Sequence, residues 1–296
     1  MKAPVFRGSS VAIVTPFTPD GKVNYEKFHE LVDMQIAGGT AAITVCGTTG
    51  ESATLDDEEH LALVKDCIDY VGGRIKVIAG TGSNDTMHAL YLSQACDQFG
   101  ADGLLVVTPY YNKTSQRGLV KHYEYLADRV NTPIIVYSVP SRTGMSASVD
   151  ALKALSTHPM INGVKDANSN IGGVAATLAA CGDDLNVWSG NDDETVAMMA
   201  LGAKGVISVW ANVDPRGVAD LTAACLRGDF AAAAAMQLKA YALIKSLFIE
   251  TNPMPVKAAM NMMGLEVGQV RPPLCELLPE NEDKLRARLL GYGLIK

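Results

Sequence analysis

Lys165 lies in Ile161-Asn162-Gly163-Val164-Lys165-Asp166-Ala167-Asn168, a stretch that otherwise reads as a buried strand. An ammonium enclosed by apolar neighbours loses hydration, and the neutral amine this favours can attack a carbonyl carbon. Lys165 is therefore a candidate for imine (Schiff-base) formation. The plainer alternative is a lysine at a strand end that snorkels into solvent or pairs with Asp166. The groups around it must decide.

Polar segments close several other apolar runs: Gly47-Thr48-Thr49-Gly50-Glu51-Ser52, Gly80-Thr81-Gly82-Ser83-Asn84, Thr108-Pro109-Tyr110-Tyr111-Asn112 and Tyr137-Ser138-Val139-Pro140-Ser141-Arg142-Thr143-Gly144. Glycines let backbone amides approach a ligand and threonines add hydroxyl donors, so Gly47 to Gly50 suits a small carboxylate or phosphate, or else is an ordinary tight turn. Tyr137 is carried by an apolar strand, where its hydroxyl needs a partner: a proton relay through neighbouring hydroxyls, or a backbone acceptor in the core. Arg142 just beyond offers a guanidinium fork to a carboxylate, or is a surface charge. Gly80-Thr81-Gly82 lacks the third glycine of a dinucleotide fingerprint, and no G-x-S-x-G elbow is present.

Metal chemistry is disfavoured. There is no H-E-x-x-H, and His29, His60, His88, His122 and His158 are dispersed. The six cysteines form no C-x-x-C, which points to reduced thiols that mostly pack. Cys46, directly before the glycine-threonine loop, is the one with a chemical alternative, but no nearby histidine in sequence would activate it.

The elements that must position these residues are legible as short, β-branched apolar runs: Val11 to Phe17, Ala41 to Cys46, Lys76 to Ala79, Gly103 to Thr108, Pro133 to Val139, Ile161 to Lys165, Asn186 to Ser189 and Gly205 to Val209. Helix-like segments with capping signals lie between most of them, such as Asp56-Asp57-Glu58-Glu59 opening the run to Tyr70 and Asn84 opening the run to Phe99. Strands apolar almost throughout, alternating with helices, predict a parallel sheet covered on both faces, and eight such units predict a closed (β/α)8 TIM barrel. Residues 1–225 are expected to form that barrel and 226–296 a C-terminal helical region, including helices over Phe230 to Phe248 and Pro255 to Met263, the latter capped by Gly264.

The 296 residues fit one barrel with an appendage. A net charge of -7 with scattered lysines and arginines argues against nucleic acid or an anionic membrane surface as a partner. The first ten residues carry no signal-peptide apolar region and no run is long enough to span a membrane, so a cytoplasmic location is expected.

In combination, Gly47-Thr48-Thr49-Gly50-Glu51, Thr108-Pro109-Tyr110-Tyr111-Asn112, Tyr137 with Val139 to Gly144, and Gly163-Val164-Lys165 closely resemble the dihydrodipicolinate synthase family. The likeness runs from Gly8 through Asn252-Pro253-Met254-Pro255-Val256-Lys257. It implies a (β/α)8 barrel with a C-terminal helical region, assembled as a homotetramer of two tight dimers. It also implies a pyruvate imine on Lys165, proton transfer by Tyr137, and a hydroxyl relay through Thr48 and Tyr111, the last reaching into a neighbouring subunit. Thr49 and the Ile207 main chain would bind pyruvate, and Arg142 the carboxylate of L-aspartate 4-semialdehyde. The imine serves as the electron sink, so no dissociable cofactor and no metal is implied.

Two positions depart from the family's usual pattern: Ser138 where asparagine is common, and Asp166 where glutamate is common. Lysine-sensitive relatives hold the effector at positions matching Ser52, Ala53, His60, Asn84 and Tyr110. His88 replaces a glutamate and Asp57 a histidine there, so weak or absent inhibition is expected. Other pyruvate-imine enzymes, such as N-acetylneuraminate lyase or 2-keto-3-deoxy sugar acid aldolases, are the nearest alternative, disfavoured by Ser141-Arg142-Thr143-Gly144. A non-catalytic pyruvate-binding barrel is the other, disfavoured because lysine, tyrosine and threonine are all retained.

Overall fold

The structure, a computed structural model, describes residues 2–296. Eight strands close into a barrel in sequence order: β1 Gly8–Ala12, β2 Ala42–Val45, β3 Lys76–Gly80, β4 Gly103–Val107, β5 Ile134–Ser138, β6 Ile161–Asp166, β7 Asn186–Ser189 and β8 Gly205–Ser208. All neighbouring pairs are parallel, and β8 returns to β1 through pairings such as Ser10 with Ile207. The (β/α)8 expectation is correct. Closure leaves no free sheet edge, and every strand-to-strand connection runs through helix.

The period of two along each strand sorts its residues into two layers. Ala42, Leu105, Ile135, Tyr137, Ala167, Trp188 and Ile207 point into the barrel, while Ile43, Val45, Ile134, Val136, Val164 and Val206 pack outward under the helices. Lys165 and Tyr137 thus sit on the inward register near strand C-terminal ends. Below them, Trp188 stacks on Phe6 at 5.2 Å between ring centroids and donates its indole N–H to the Phe6 carbonyl. Gly163 is needed there, since a Cβ would lie 2.6 Å from the Trp188 ring.

The first strand differs from its expected bounds. It starts at Gly8 and ends at Ala12, because the Val14 N–H is taken by the Asn212 side chain and Pro16 has no N–H to give. The helix expected to open at Asn84 is Thr86–Phe99 with Asp85 as its N-cap, the Asp85 carboxylate accepting the Met87 N–H. The acidic signal at Asp56 gives helix Asp57–Val71, with Asp56 capping Glu59. Beyond β8 the chain is helical, in Pro215–Leu226, Phe230–Ser246, Met254–Met262 and Pro279–Tyr292. Gly264 follows the third of these in the left-handed conformation. Among the described residues no helix is long and apolar enough to cross a membrane.

Candidate active site

Tyr137 and Lys165 are register partners on β5 and β6, and Lys165 Nζ lies 4.1 Å from the Tyr137 ring centroid. Both are nearly buried, at 8% and 6% exposure. Lys165 neither ends its strand nor pairs with its neighbour. β6 continues to Asp166, whose carboxylate instead accepts the backbone and side-chain N–H groups of Asn168, both at 2.9 Å. Burial pushes the Asp166 carboxyl above the usual carboxylate range, opposed by those two bonds.

These two side chains line a cavity of about 170 Å³ at the C-terminal mouth of the barrel, together with Thr48, Thr49, Arg142 and Asn252. The glycine-threonine loop reaches this position because Gly80 lets it pass. A Cβ on Gly80 would sit 2.2 Å from the Cys46 carbonyl oxygen. Thr49 is buried, and its hydroxyl accepts the Asn252 side-chain N–H at 2.8 Å, which leaves the Thr49 proton free to be donated into the cavity. The Arg142 guanidinium, on the short helix Pro140–Thr143, donates to the Asn252 carbonyl at 3.0 Å. Asn252 therefore links the two residues expected to bind carboxylates. The Asn252 Oδ1 is buried and without a partner.

Two expected site residues are not among those lining this cavity. Ile207 is buried in the barrel interior beside Tyr137 and Trp188, and the cavity wall on that side is formed by Val209. The β8 end is held by buried Asp192, which accepts the Val209 and Trp210 N–H groups at 3.0 and 2.9 Å. Tyr111 is 92% exposed, outside the cavity, with its backbone in the left-handed region at φ 67°.

Most of the expected effector positions line a second cavity of about 450 Å³, which shares Thr48, Val139, Arg142 and Asn252 with the first. Ser52, Ala53, His60, His88 and Tyr110 face it, and Asn84 does not. His88 Nε2 lies 2.9 Å from Asp57 Oδ1 and its Nδ1 3.1 Å from Ser83 Oγ, so the two residues expected to differ from lysine-sensitive relatives are partners of each other. His60 is buried and donates to the Gly80 carbonyl, and burial holds its ring below the usual imidazole range.

Cys46 is a packing residue. Its thiol is buried, points at the His60 carbonyl, and is pushed well up by burial and by the neighbouring Cys96 and Cys67. Of the six cysteines only Cys275 is exposed, and all are free. Among the described residues no group of three or more His, Cys, Asp or Glu side chains could hold a metal ion.

Asn252, Asp192, Glu51 and Lys257 went unread as working residues in the sequence. Lys257 carried the same signal as Lys165, a lysine in an apolar run, Met254-Pro255-Val256-Lys257-Ala258-Ala259. Asn252 and Asp192 carried none, since their partners lie far away along the chain.

Residues 5–290 match the model of the Dihydrodipicolinate synthetase family. A 4-hydroxy-tetrahydrodipicolinate synthase of Geobacter sulfurreducens is 50% identical over 98% of this chain and 100% of its own length. The crystal structure of dihydrodipicolinate synthase from Aquifex aeolicus superposes with a TM-score of 0.96 at 47% identity, covering 98% of this chain and 99% of that one. A chloride-inhibited dihydrodipicolinate synthase from Acinetobacter baumannii, described as complexed with pyruvate, matches at TM-score 0.96 and 41% identity over 98% and 100% of the two chains.

Proposed function

This chain belongs to the dihydrodipicolinate synthetase family, and from that premise we propose that it is a Schiff-base-forming lyase that condenses pyruvate with L-aspartate 4-semialdehyde. The observation that carries the reading is the Tyr137 and Lys165 pair, side by side within one small cavity whose walls supply hydroxyls and a guanidinium.

The Lys165 amine adds to the pyruvate carbonyl, and loss of water gives the imine. The protonated imine withdraws electrons, a methyl proton leaves, and the resulting enamine carbon attacks the aldehyde of the second substrate. Transimination by that substrate's own amine then closes the ring and frees Lys165. Tyr137 moves the protons, with Thr48 beside it in the cavity and Tyr111 supplied by a second copy of the chain. Thr49 holds the pyruvate carboxylate with the proton that Asn252 leaves free, and the β8 main chain at Ile207 adds to this contact. Arg142, at the mouth, takes the carboxylate of the semialdehyde.

The enzyme works as a homotetramer of two tight dimers in the cytoplasm. Support for the dimer comes from Tyr111, which is exposed and extends from a surface that also bears Met87, Tyr91 and Tyr110. The direct experiment couples product formation to the following reductase and reads loss of NADPH. Turnover that requires both substrates and vanishes in Lys165→Ala is expected; a folded protein with no turnover contradicts the reading.

A further inference from the structure

Lys257 is as buried as Lys165 and is engaged differently. Its ammonium donates to Glu51 Oε1 at 2.8 Å, to the Thr15 carbonyl at 3.1 Å and to the Gln269 carbonyl at 2.6 Å, which accounts for all three of its protons. It also lies 4.3 Å from the Phe17 ring centroid. Lys165 Nζ, by contrast, makes no hydrogen bond among the described residues, and only its amine is free to react.

The other oxygen of Glu51 accepts the Arg271 N–H at 2.8 Å, so this carboxylate is fixed at both atoms by the C-terminal region. Glu51 ends the glycine-threonine loop in the left-handed region, φ 57°, which an unconstrained glutamate avoids. The Glu51 N–H folds back to the Thr48 carbonyl at 3.1 Å, and Thr15, whose carbonyl Lys257 holds, donates its hydroxyl to the Gly50 carbonyl at 2.7 Å. Two side-chain ties on the far end of the loop, at the Glu51 carboxylate and at the Gly50 carbonyl, therefore come from Lys257 or from residues it bonds directly.

We infer that the Lys257 and Glu51 pair is a positioning device for the reaction: it sets where Thr48 and Thr49 present their hydroxyls to the pyruvate bound at Lys165. The role rests on the reaction proposed above. It also gives the C-terminal region a part in the site, because Asn252 grips Thr49 from the same segment that carries Lys257.

The test compares Glu51→Gln, which keeps the shape and removes the charge, with Lys257→Met and the double variant, which leaves no uncompensated buried charge. Steady-state kinetics are read beside the pyruvate concentration giving half-maximal borohydride trapping of Lys165. Expected is a rise of about tenfold in KM for pyruvate, with the trapping midpoint rising in parallel and the folded circular dichroism spectrum retained. A pair that only stabilises the fold would lower Tm and leave both pyruvate values within about twofold of wild type, which overturns the inference. Wild-type protein that traps no pyruvate at all would instead remove the reaction itself, and this role with it.

Discussion

Ser138 and Asp166 are register partners one step beyond Tyr137 and Lys165, and Asn168 bridges them. Ser138 Oγ donates to Asn168 Oδ1 at 3.1 Å, and Asn168 Nδ2 donates to Asp166 Oδ2 at 2.9 Å. The two positions expected from the resemblance to depart from the family's usual pattern are thus one local arrangement: two short side chains with a third spanning the space between them. Ser138 Oγ also accepts the Ala147 N–H at 3.2 Å, which ties in the loop after Arg142.

Ser138→Ala leaves the Asn168 oxygen and the Ala147 N–H in a buried setting without their partner. The expected cost is about 1–3 kcal/mol in unfolding free energy, read by urea titration. A change below a few tenths would mean that the bridge contributes nothing measurable.

Tyr137→Phe removes only a hydroxyl from the face of the cavity. Turnover is expected to fall by about 10²–10⁴, the usual range for a lost acid–base group, while the ring beside Lys165 remains. Rates within a few-fold of wild type would assign Tyr137 to packing.

Tyr111 is exposed and does not line its own cavity, so its contribution should cross between copies. Lys165→Ala and Tyr111→Phe proteins, each impaired alone, are expected to regain activity when unfolded and refolded together. A mixed dimer then contains one site of its two with both native residues, and an equimolar mixture, about half of it mixed dimers, gives about a quarter of wild-type activity. No recovery from demonstrably mixed dimers would place Tyr111 outside the reaction.

The second cavity is expected to bind L-lysine weakly or not at all. His88 and Asp57 occupy each other there, so no carboxylate stands unpaired for an incoming ammonium. Inhibition titrations are expected to reach the millimolar range without effect; a submillimolar inhibition constant would contradict this.

His122 should make stability fall in mild acid. Burial lowers its ring from 6.5 to about 4, and its Nε2 is buried without a partner. Between those values the unfolded chain binds the proton and the folded one does not, so the stability present above 6.5 is lost as pH falls toward 4. A lowering of that size corresponds to on the order of 3 kcal/mol. His60, lowered by burial, acts in the same direction, whereas Asp166 and Asp192, raised by burial, act against it. Denaturant unfolding at stepped pH should show a shallower slope in His122→Gln, and an unchanged slope would remove His122 from the account of acid sensitivity.

The barrel was legible because strand runs such as Ile134 to Val136 and Leu104 to Val106 are apolar on both faces, which parallel strands under helices require. The first strand was misplaced because hydrophobicity alone cannot see where Asn212, far along the chain, takes a backbone N–H out of the ladder. Lys165, Tyr137, Thr48, Thr49 and Arg142 were legible as chemistry from their positions at strand ends, and the structure gathers them around one cavity. Asn252 and Lys257 were not, because their function lies in long-range contacts to Thr49 and Glu51 that no local pattern encodes.

Borohydride reduction in the presence of pyruvate, followed by peptide mass spectrometry, tests the central claim most directly. The expected result is a single peptide in which Lys165 carries the reduced three-carbon acid, absent without pyruvate, with Lys257 unmodified. Folded protein in which Lys165 stays unmodified at saturating pyruvate would contradict the imine mechanism.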